Sequence, residues 1–151
     1  MIRDVEIKIL DKRVEIPKYA TMNSGAFDLV ACIDEKVEIA PLSVKLIPTG
    51  ISVNMMSVIE SCAGLILPRS GNGHKRGMVL GNGTGYIDED YAGQLFVSVL
   101  NRNSDVYLTI EPFERIAQFA IVPIIRANFI QVEEFTTKTE RGAGGFGSTG
   151  K

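Results

Sequence analysis

The sequence predicts an all-β fold, a barrel or a sandwich, built from many short strands. Apolar residues alternate with polar ones in segments that recur roughly every eight to twelve residues. Glycine, proline, asparagine and aspartate separate these segments, as expected for the turns of such a fold. No long segment keeps a helical period, so helices should contribute little.

Five segments are the clearest predicted strands. Residues 5–9, 37–39 and 106–110 alternate between apolar and polar side chains. Residues 95–100 are apolar on both faces apart from one serine, and residues 117–122 are a nearly continuous apolar run. The one expected helix, of one or two turns, follows Pro68 and Arg69 with Ser70 as its N-cap.

The composition indicates a single globular domain. The chain has 151 residues, of which 45% are hydrophobic and 23% charged. Its net charge of -2 does not suit general nucleic-acid binding, which needs a basic face. No segment approaches the ~20 apolar residues of a membrane span, and early charges at Arg3 and Asp4 argue against a signal peptide. We expect a cytoplasmic protein that binds neither nucleic acid nor membrane.

The cysteine and histidine content argues against disulfide or zinc chemistry. Cys32 and Cys62 both lie in apolar, strand-like runs, so free thiols in a reducing compartment are expected. With His74 as the single histidine, a zinc site would need unusual ligands.

The C-terminal residues 141–151 are too rich in glycine to pack on their own. They match the spacing of the dinucleotide fingerprint and of a P-loop, but both motifs require a following helix that meets the phosphates. No residues follow Lys151 to form one, so neither fold is expected. Backbone N–H groups of a glycine-rich loop can still bind phosphates, which predicts a tail able to close over a triphosphate.

Four further polar clusters interrupt the predicted strands, and with the tail they make five in a fixed order. The four cover residues 24–29, 68–74, 85–94 and 114–118. Their order and spacing resemble the five motifs of the trimeric dUTPase family, over residues 5–151. The resemblance implies a distorted β-barrel or jelly-roll-like fold with one short helix. It implies a barrel domain over residues 1–137 and a flexible tail over residues 138–151 that closes over the active site.

The resemblance also implies an activity: hydrolysis of dUTP to dUMP and pyrophosphate by in-line attack of water on the α-phosphorus. Such an enzyme keeps uracil out of DNA and supplies dUMP for thymidylate synthesis. In this family the enzyme is a homotrimer whose active sites are shared between subunits. The cofactor is Mg²⁺, bound through the substrate triphosphate, with Asp28 ordering a water on the metal.

The family motifs assign roles to individual residues of this chain. Asp88 would be the general base, with catalytic support from Arg69, Ser70, Gln118 and Arg141. The implied substrate contacts are made by Arg69, Ser70, Gly71, Asn82, Gly85, Ile87, Asp88, Tyr91, Gln118, Arg141, Phe146, Gly147, Ser148 and Thr149. The chain departs from the family's usual pattern in the order Gly25-Ala26 and at Asn72 and Phe113.

The residue types allow independent arguments for some of these roles. A cation such as Arg69 at a helix start is repelled by the positive end of the helix dipole, and an anion bound beside it would offset that repulsion. Gln118, in an apolar strand, needs a hydrogen-bond partner. Phe146 among glycines has no core to join, and stacking on a base is worth roughly 1–3 kcal/mol.

Other residues in the clusters also have ordinary explanations. Asp28 alone would suit a turn cap and Ser70 a helix cap. Tyr91 would ordinarily be a core residue. The acidic run of residues 88–90 would suit a solvated hairpin, and a calcium loop is disfavoured because its twelve-residue pattern is missing.

Three other functions remain as alternatives. A dCTP deaminase shares the fold and trimeric assembly but needs a catalytic glutamate, and it lacks this aspartate–tyrosine hairpin. A non-catalytic nucleotide-binding regulator would have no use for a general base at Asp88. A β-barrel adaptor would leave Phe146 and the glycine tail unexplained.

Overall fold

The computed structural model describes residues 4–57 and 61–144 of the chain. Within these ranges the chain forms ten strands, a seven-residue α-helix and one 3-10 turn. In chain order they are β1 (Glu6–Ile9), β2 (Phe27–Val30), β3 (Val37–Ile39), β4 (Val44–Asn54), the 3-10 turn (Met55–Ser57), β5 (Cys62–Pro68), α1 (Ser70–Arg76), β6 (Met78–Leu80), β7 (Gly85–Ile87), β8 (Gln94–Asn101), β9 (Leu108–Ile110) and β10 (Arg115–Pro123).

The strands form three antiparallel sheets around one core. The first sheet has the order β1-β4-β8-β6, the second has the order β2-β10-β5-β7, and β3 pairs with β9. In the described residues these sheets do not close into a single barrel. The predicted all-β, jelly-roll-like fold with one short helix is therefore confirmed, in its open form.

The core lies between the two larger sheets and follows the two-residue period of their strands. Leu95, Val97 and Val99 of β8 are buried, whereas Phe96 between them is exposed. Both faces of this strand are largely apolar, as predicted, but the single chain buries only the face of Leu95, Val97 and Val99. In the opposite sheet Phe119 is fully buried, and a Cβ on Gly64 would lie 2.3 Å from its ring.

Strand β9 begins later than the alternation of residues 106–110 predicts. Val106 and Tyr107 are exposed and stand before the strand. The buried side chain of Asn101 donates hydrogen bonds to the carbonyls of Val106, at 2.8 Å, and of Ile39, at 3.0 Å. A side chain therefore satisfies a carbonyl that a longer ladder would otherwise pair.

Helix α1 begins differently from the sequence prediction. Its N-cap is Arg69, with extended backbone angles (φ -81, ψ 131), and no side chain caps the first turn. The prediction that Ser70 is the N-cap is therefore wrong. The helix ends at Arg76, and its C-cap is Gly77, whose positive φ of 69° permits its N–H to bond the carbonyl of Asn72.

Asn72 ties the helix to strand β10. Its side chain is buried, and its amide nitrogen donates to the carbonyl of Arg115 at 2.9 Å. The register of β10 against β2 shifts between Arg115 and Ala117, and such bulges interrupt the ladder hydrogen bonds locally. Asn72, a departure from the family pattern, thus provides a donor where the ladder is irregular.

Two further expectations concern the thiols and the membrane. Cys32 and Cys62 are both free, as predicted, and burial raises the pKa of each thiol. Throughout residues 4–57 and 61–144, no helix has the length and apolar character needed to cross a bilayer.

Asn72→Asp should destabilise the fold, because it keeps the shape of the side chain but removes the donor to the Arg115 carbonyl. Leaving a buried acceptor unpaired costs about 1–3 kcal/mol, and repulsion between the new carboxylate and that carbonyl adds to this cost. Urea unfolding measures the change, with Asn23→Asp in an exposed turn as the matched control. Equal stability of the two variants would refute this role for Asn72.

Candidate active site

Three of the polar clusters meet in the second sheet because of its register. On β10, Gln118 pairs with Asp28 of β2 on one side and with Leu67 of β5 on the other. Paired residues on neighbouring strands project to the same face of a sheet. The clusters of residues 24–29, 68–74 and 114–118, distant in sequence, therefore lie side by side.

Asp28 holds two arginines at this position. Its Oδ1 accepts a hydrogen bond from Nε of Arg69 at 2.7 Å, and its Oδ2 accepts one from Nη1 of Arg115 at 3.2 Å. The side chains of Asp28 and Arg69 are both 29% exposed, so the pair is partly shielded from water. Asp28 therefore does not cap a turn; it compensates a cation at the start of a helix.

Gln118 has the partner that its place in an apolar strand requires. Its amide nitrogen donates to the main-chain carbonyl of Pro68 at 3.0 Å. The bond fixes the backbone immediately before Arg69. Sequence reasoning predicted that a partner exists, and the structure identifies it as the main chain.

The first turn of α1 is open to solvent beside Arg69. Ser70 and Gly71 are both exposed, and a Cβ placed on Gly71 would meet no atom within 4 Å. Within residues 4–57 and 61–144, the Arg69 side chain makes one hydrogen bond, from its Nε to Asp28. Its remaining donors and the helix start can therefore face an anion.

The acidic segment of residues 85–94 forms a second group of predicted site residues. The resemblance predicts a hairpin here, but β7 and β8 lie in different sheets and do not pair, so the word hairpin names only the bend between them. Strand β7 pairs with β5, and Asp88 follows it as an exposed residue. The N–H of Tyr91 bonds the Asp88 carbonyl at 3.1 Å and closes a turn. The Tyr91 hydroxyl donates to the Gln94 carbonyl at 2.9 Å, while the residue stays 43% exposed. Tyr91 is therefore not a core residue.

Glu89 turns inward from the same hairpin. Its carboxylate accepts hydrogen bonds from the N–H of Cys62 at 3.1 Å and from the guanidinium of Arg126. The Arg126 hydrogen bond, followed by that of Cys62, lowers the pKa of Glu89. A cavity of about 430 Å³ lies here, and its polar lining includes Tyr86, Asp88, Glu89, Asp90 and Arg126.

The two groups lie at opposite ends of β5. Ile87 pairs with Gly64, so Asp88 stands next to the start of β5, whereas Arg69 follows its end. Six residues of extended chain separate these levels, which corresponds to about 20 Å at ~3.3 Å per residue. One chain therefore brings Asp28, Arg69 and Gln118 together but keeps Asp88 away from them.

The remaining predicted contacts occupy the rim of the hairpin or the tail. Asn82 is exposed in the loop before β7, Gly85 is buried against Ile66, and Ile87 is half-buried. Arg141 is exposed, and its Nε donates to the Gly144 carbonyl at 2.8 Å. The predictions for Phe146, Gly147, Ser148 and Thr149 fall outside the described residues.

Phe113 replaces a glycine that is usual in the family, at a position whose backbone conformation favours glycine. The N–H of Glu114 bonds the Glu111 carbonyl, and Phe113 has a φ of 58° after Pro112. This arrangement matches a type II turn, whose third position favours glycine. The guanidinium of Arg13 lies 5.3 Å from the centre of the Phe113 ring, a cation–π contact that offsets part of the backbone strain.

Sequence reasoning missed three residues around these groups. Arg115 lies inside a recognised cluster but was given no role, although a charge at the start of an apolar strand was a usable signal. Glu89 was treated only as part of an acidic run. No local pattern marks Arg126, because its partner is distant in sequence.

Comparisons with known proteins test the family resemblance. A family model described as dUTPase matches residues 12–150. A deoxyuridine 5'-triphosphate nucleotidohydrolase of Cronobacter sakazakii is 51% identical, with 100% of this chain and 99% of the relative covered. A relative with the same name from Citrobacter koseri is 50% identical over the same shares.

Solved structures show the same likeness. A dUTPase of Staphylococcus bacteriophage 80alpha, determined with dUPNHPP, has a TM-score of 0.87 and 29% identity, covering 99% of this chain and 100% of its own. The phage enzyme's G164S mutant with dUpNHpp has a TM-score of 0.85 over the same shares. The resemblance seen in the five sequence clusters is thus confirmed, and the chain belongs to the dUTPase family.

Proposed function

We propose that this chain hydrolyses dUTP to dUMP and pyrophosphate, which keeps uracil out of DNA and supplies dUMP for thymidylate synthesis. The observation that carries the proposal is the pair of solvent-facing groups built on β5 in a member of the dUTPase family. One is an arginine–carboxylate group suited to phosphate, and the other is an exposed carboxylate on a hairpin. The relatives' names support neither a deaminase nor a non-catalytic regulator.

Arg69, Ser70 and Gly71 bind the phosphates in this proposal. Asp28 holds Arg69 through Nε, which leaves the terminal nitrogens to donate to phosphate oxygens. The Gln118 amide holds the Pro68 carbonyl, and this fixes the direction of the backbone at Arg69, directly after β5. The Ser70 hydroxyl lies in the open first turn, beside the bridging oxygen between the α- and β-phosphates.

A magnesium ion fits this group if the substrate brings most of its ligands. Within residues 4–57 and 61–144 no three acidic, histidine or cysteine side chains form a metal cluster. Mg²⁺ keeps several waters and relies on substrate phosphates, so one carboxylate, Asp28, is enough to order a water on it. When bound, the metal neutralises charge on the triphosphate.

Asp88 is the proposed general base. It is exposed at the end of β7, and as a carboxylate it can orient and deprotonate a water for in-line attack on the α-phosphorus. Pyrophosphate leaves, while Arg69, Arg141 and backbone N–H groups stabilise the developing negative charge.

The β7 hairpin supplies uracil selectivity. β7 is the edge strand of its sheet, so its outer main-chain groups are available to a ligand. Residues 85–87 with Asn82 would hydrogen-bond the uracil edge, and cytosine would leave these groups unpaired because its donors and acceptors are reversed. Tyr91 would pack on the deoxyribose and leave no space for a 2′-hydroxyl.

The distance along β5 supports the proposed homotrimer with shared active sites. A base and a phosphate-binding arginine about 20 Å apart in one chain cannot act on the same α-phosphorus, so a second copy has to complete the site. Much apolar surface also lacks cover in the single chain, which marks an interface. Its exposed residues include Leu46, Phe96, Ile125, Phe129, Ile130 and Phe135.

The tail over residues 138–151 closes the site in this proposal, on a β domain over residues 1–137. Phe146 would stack on uracil, Gly147, Ser148 and Thr149 would contact the nucleotide, and Arg141 would reach the phosphates. A cytoplasmic location fits the two free thiols, which a reducing compartment preserves.

The enzyme with Mg²⁺ should release pyrophosphate from dUTP much faster than from dCTP, dTTP or UTP. Asp88→Asn should lower kcat about 10²–10⁴-fold while dUTP binding persists, because only base catalysis is lost. Asp90→Asn, a neighbouring acid with no assigned role, is the matched control. Ammonia release from dCTP, or tight dUTP binding without pyrophosphate release, would contradict the function.

Mixed subunits should test the shared site. Asp88→Asn and Arg69→Ala are each expected to be nearly inactive, but co-refolding the two should restore about a quarter of wild-type activity by random assortment of subunits. The control pair, Arg69→Ala with Asp28→Asn, damages the same half-site and should show no recovery. Equal behaviour of the two mixtures would place a complete site within one chain.

Truncation after Thr139 should remove most activity and leave the β domain folded. The change removes Arg141 and Phe146 but none of the described strands. Steady-state turnover of dUTP and the thermal unfolding midpoint measure the two effects. A truncated enzyme with full turnover would refute closure by the tail.

A further inference from the structure

Glu89 is the acidic residue of the hairpin that the proposed mechanism leaves without a role. It stands between Asp88 and Asp90, which are both exposed, yet its own side chain is only 14% exposed. Burying a carboxylate is costly unless it is paired and hydrogen-bonded. Specific partners must therefore hold it inward.

Two donors provide this pairing. The N–H of Cys62, the first residue of β5, donates to Oε2, and the Arg126 guanidinium donates to Oε1. These contacts lower the pKa of Glu89, Arg126 being the larger cause, and the Glu89 carboxylate raises the pKa of Arg126. Because the pKa of Glu89 is lowered, the pair is ionised at neutral pH. Its contribution is lost only when the pH falls below the range in which a free glutamate protonates.

The pair joins three separate parts of the chain. Glu89 belongs to the hairpin and Cys62 to β5, whereas Arg126 is the third residue after β10. The chain after β10 is attached to the same corner, since the N–H of Ile124 bonds the Ser61 carbonyl at 3.0 Å. The segment that leads to the C-terminal tail therefore starts against the hairpin that carries Asp88.

We propose that the Glu89–Arg126 pair is a positioning clamp that orients the Asp88 hairpin and the departing C-terminal segment relative to each other. The clamp rests on the proposed function, because it affects turnover only if Asp88 is the base. Release of Glu89 would let the turn closed by Asp88 and Tyr91 rotate. A displacement of a catalytic group by about 1 Å can cost on the order of 10²-fold in rate.

The clamp differs from an ordinary surface ion pair in what it predicts. Glu89 is largely buried, but the Arg126 side chain is 65% exposed, so water at the arginine screens the pair and limits its contribution to stability. Loss of the pair should therefore change the thermal unfolding midpoint only slightly, while turnover falls. A purely structural pair would show the opposite pattern.

A double-mutant cycle tests the clamp on the full-length enzyme, with pyrophosphate release from dUTP as the readout. Glu89→Gln and Arg126→Gln should each lower kcat roughly tenfold, with KM changed less than about threefold. The double variant should be no slower than either single variant, because all three remove the same contact. Arg126→Lys keeps the charge and a donor and should restore most of kcat.

Lys36→Gln is the matched control, since it breaks an exposed ion pair with Glu38, at 3.6 Å, on a different sheet. It should have wild-type kcat. Unchanged kcat in the Glu89 and Arg126 variants, or losses that multiply in the double variant, would overturn the clamp alone while dUTP hydrolysis stands. Absence of pyrophosphate release from the wild-type enzyme would overturn both the function and the clamp.

Discussion

The position of β10 between β2 and β5 is the constraint on which the candidate site depends. Its register sets Gln118 opposite Asp28, and the same strand reaches Pro68 through the Gln118 amide. Asp28 then neutralises Arg69 at a helix start that has no side-chain cap. Because Asp28 on β2, two strands away from β5, compensates Arg69, the first turn of α1 stays available to an anion. A serine side chain capping that turn would have occupied it.

Local signals in the sequence were sufficient for five of the ten described strands and for the positions of the polar clusters, because alternation and turn residues act over a few positions. Contacts between distant residues decided the rest. Arg115 meets Asp28 across 87 residues, and Arg126 meets Glu89 across 37. The wrong N-cap and the late start of β9 have the same origin, since partners elsewhere in the fold outcompeted local preferences.

Phe113 shows how a departure from the family pattern is accommodated. A left-handed backbone costs a residue with a Cβ about 1–2 kcal/mol, and an exposed cation–π contact returns about 0.5–1 kcal/mol. The turn is also held by the N–H of Phe113, which bonds the Ala31 carbonyl at 2.7 Å. The conformation that glycine would favour is thus retained without glycine, and β10 enters the sheet from the same turn.

The short strand β7 has one further consequence, for the solubility of the single chain. As an edge strand it presents unpaired main-chain groups that could recruit another edge and begin aggregation. Asp88 and Asp90, both exposed immediately after it, place negative charge where such an edge would dock. This charge disfavours pairing between the edges of two chains, so replacement of Asp88 and Asp90 by neutral residues would lower the solubility of the chain.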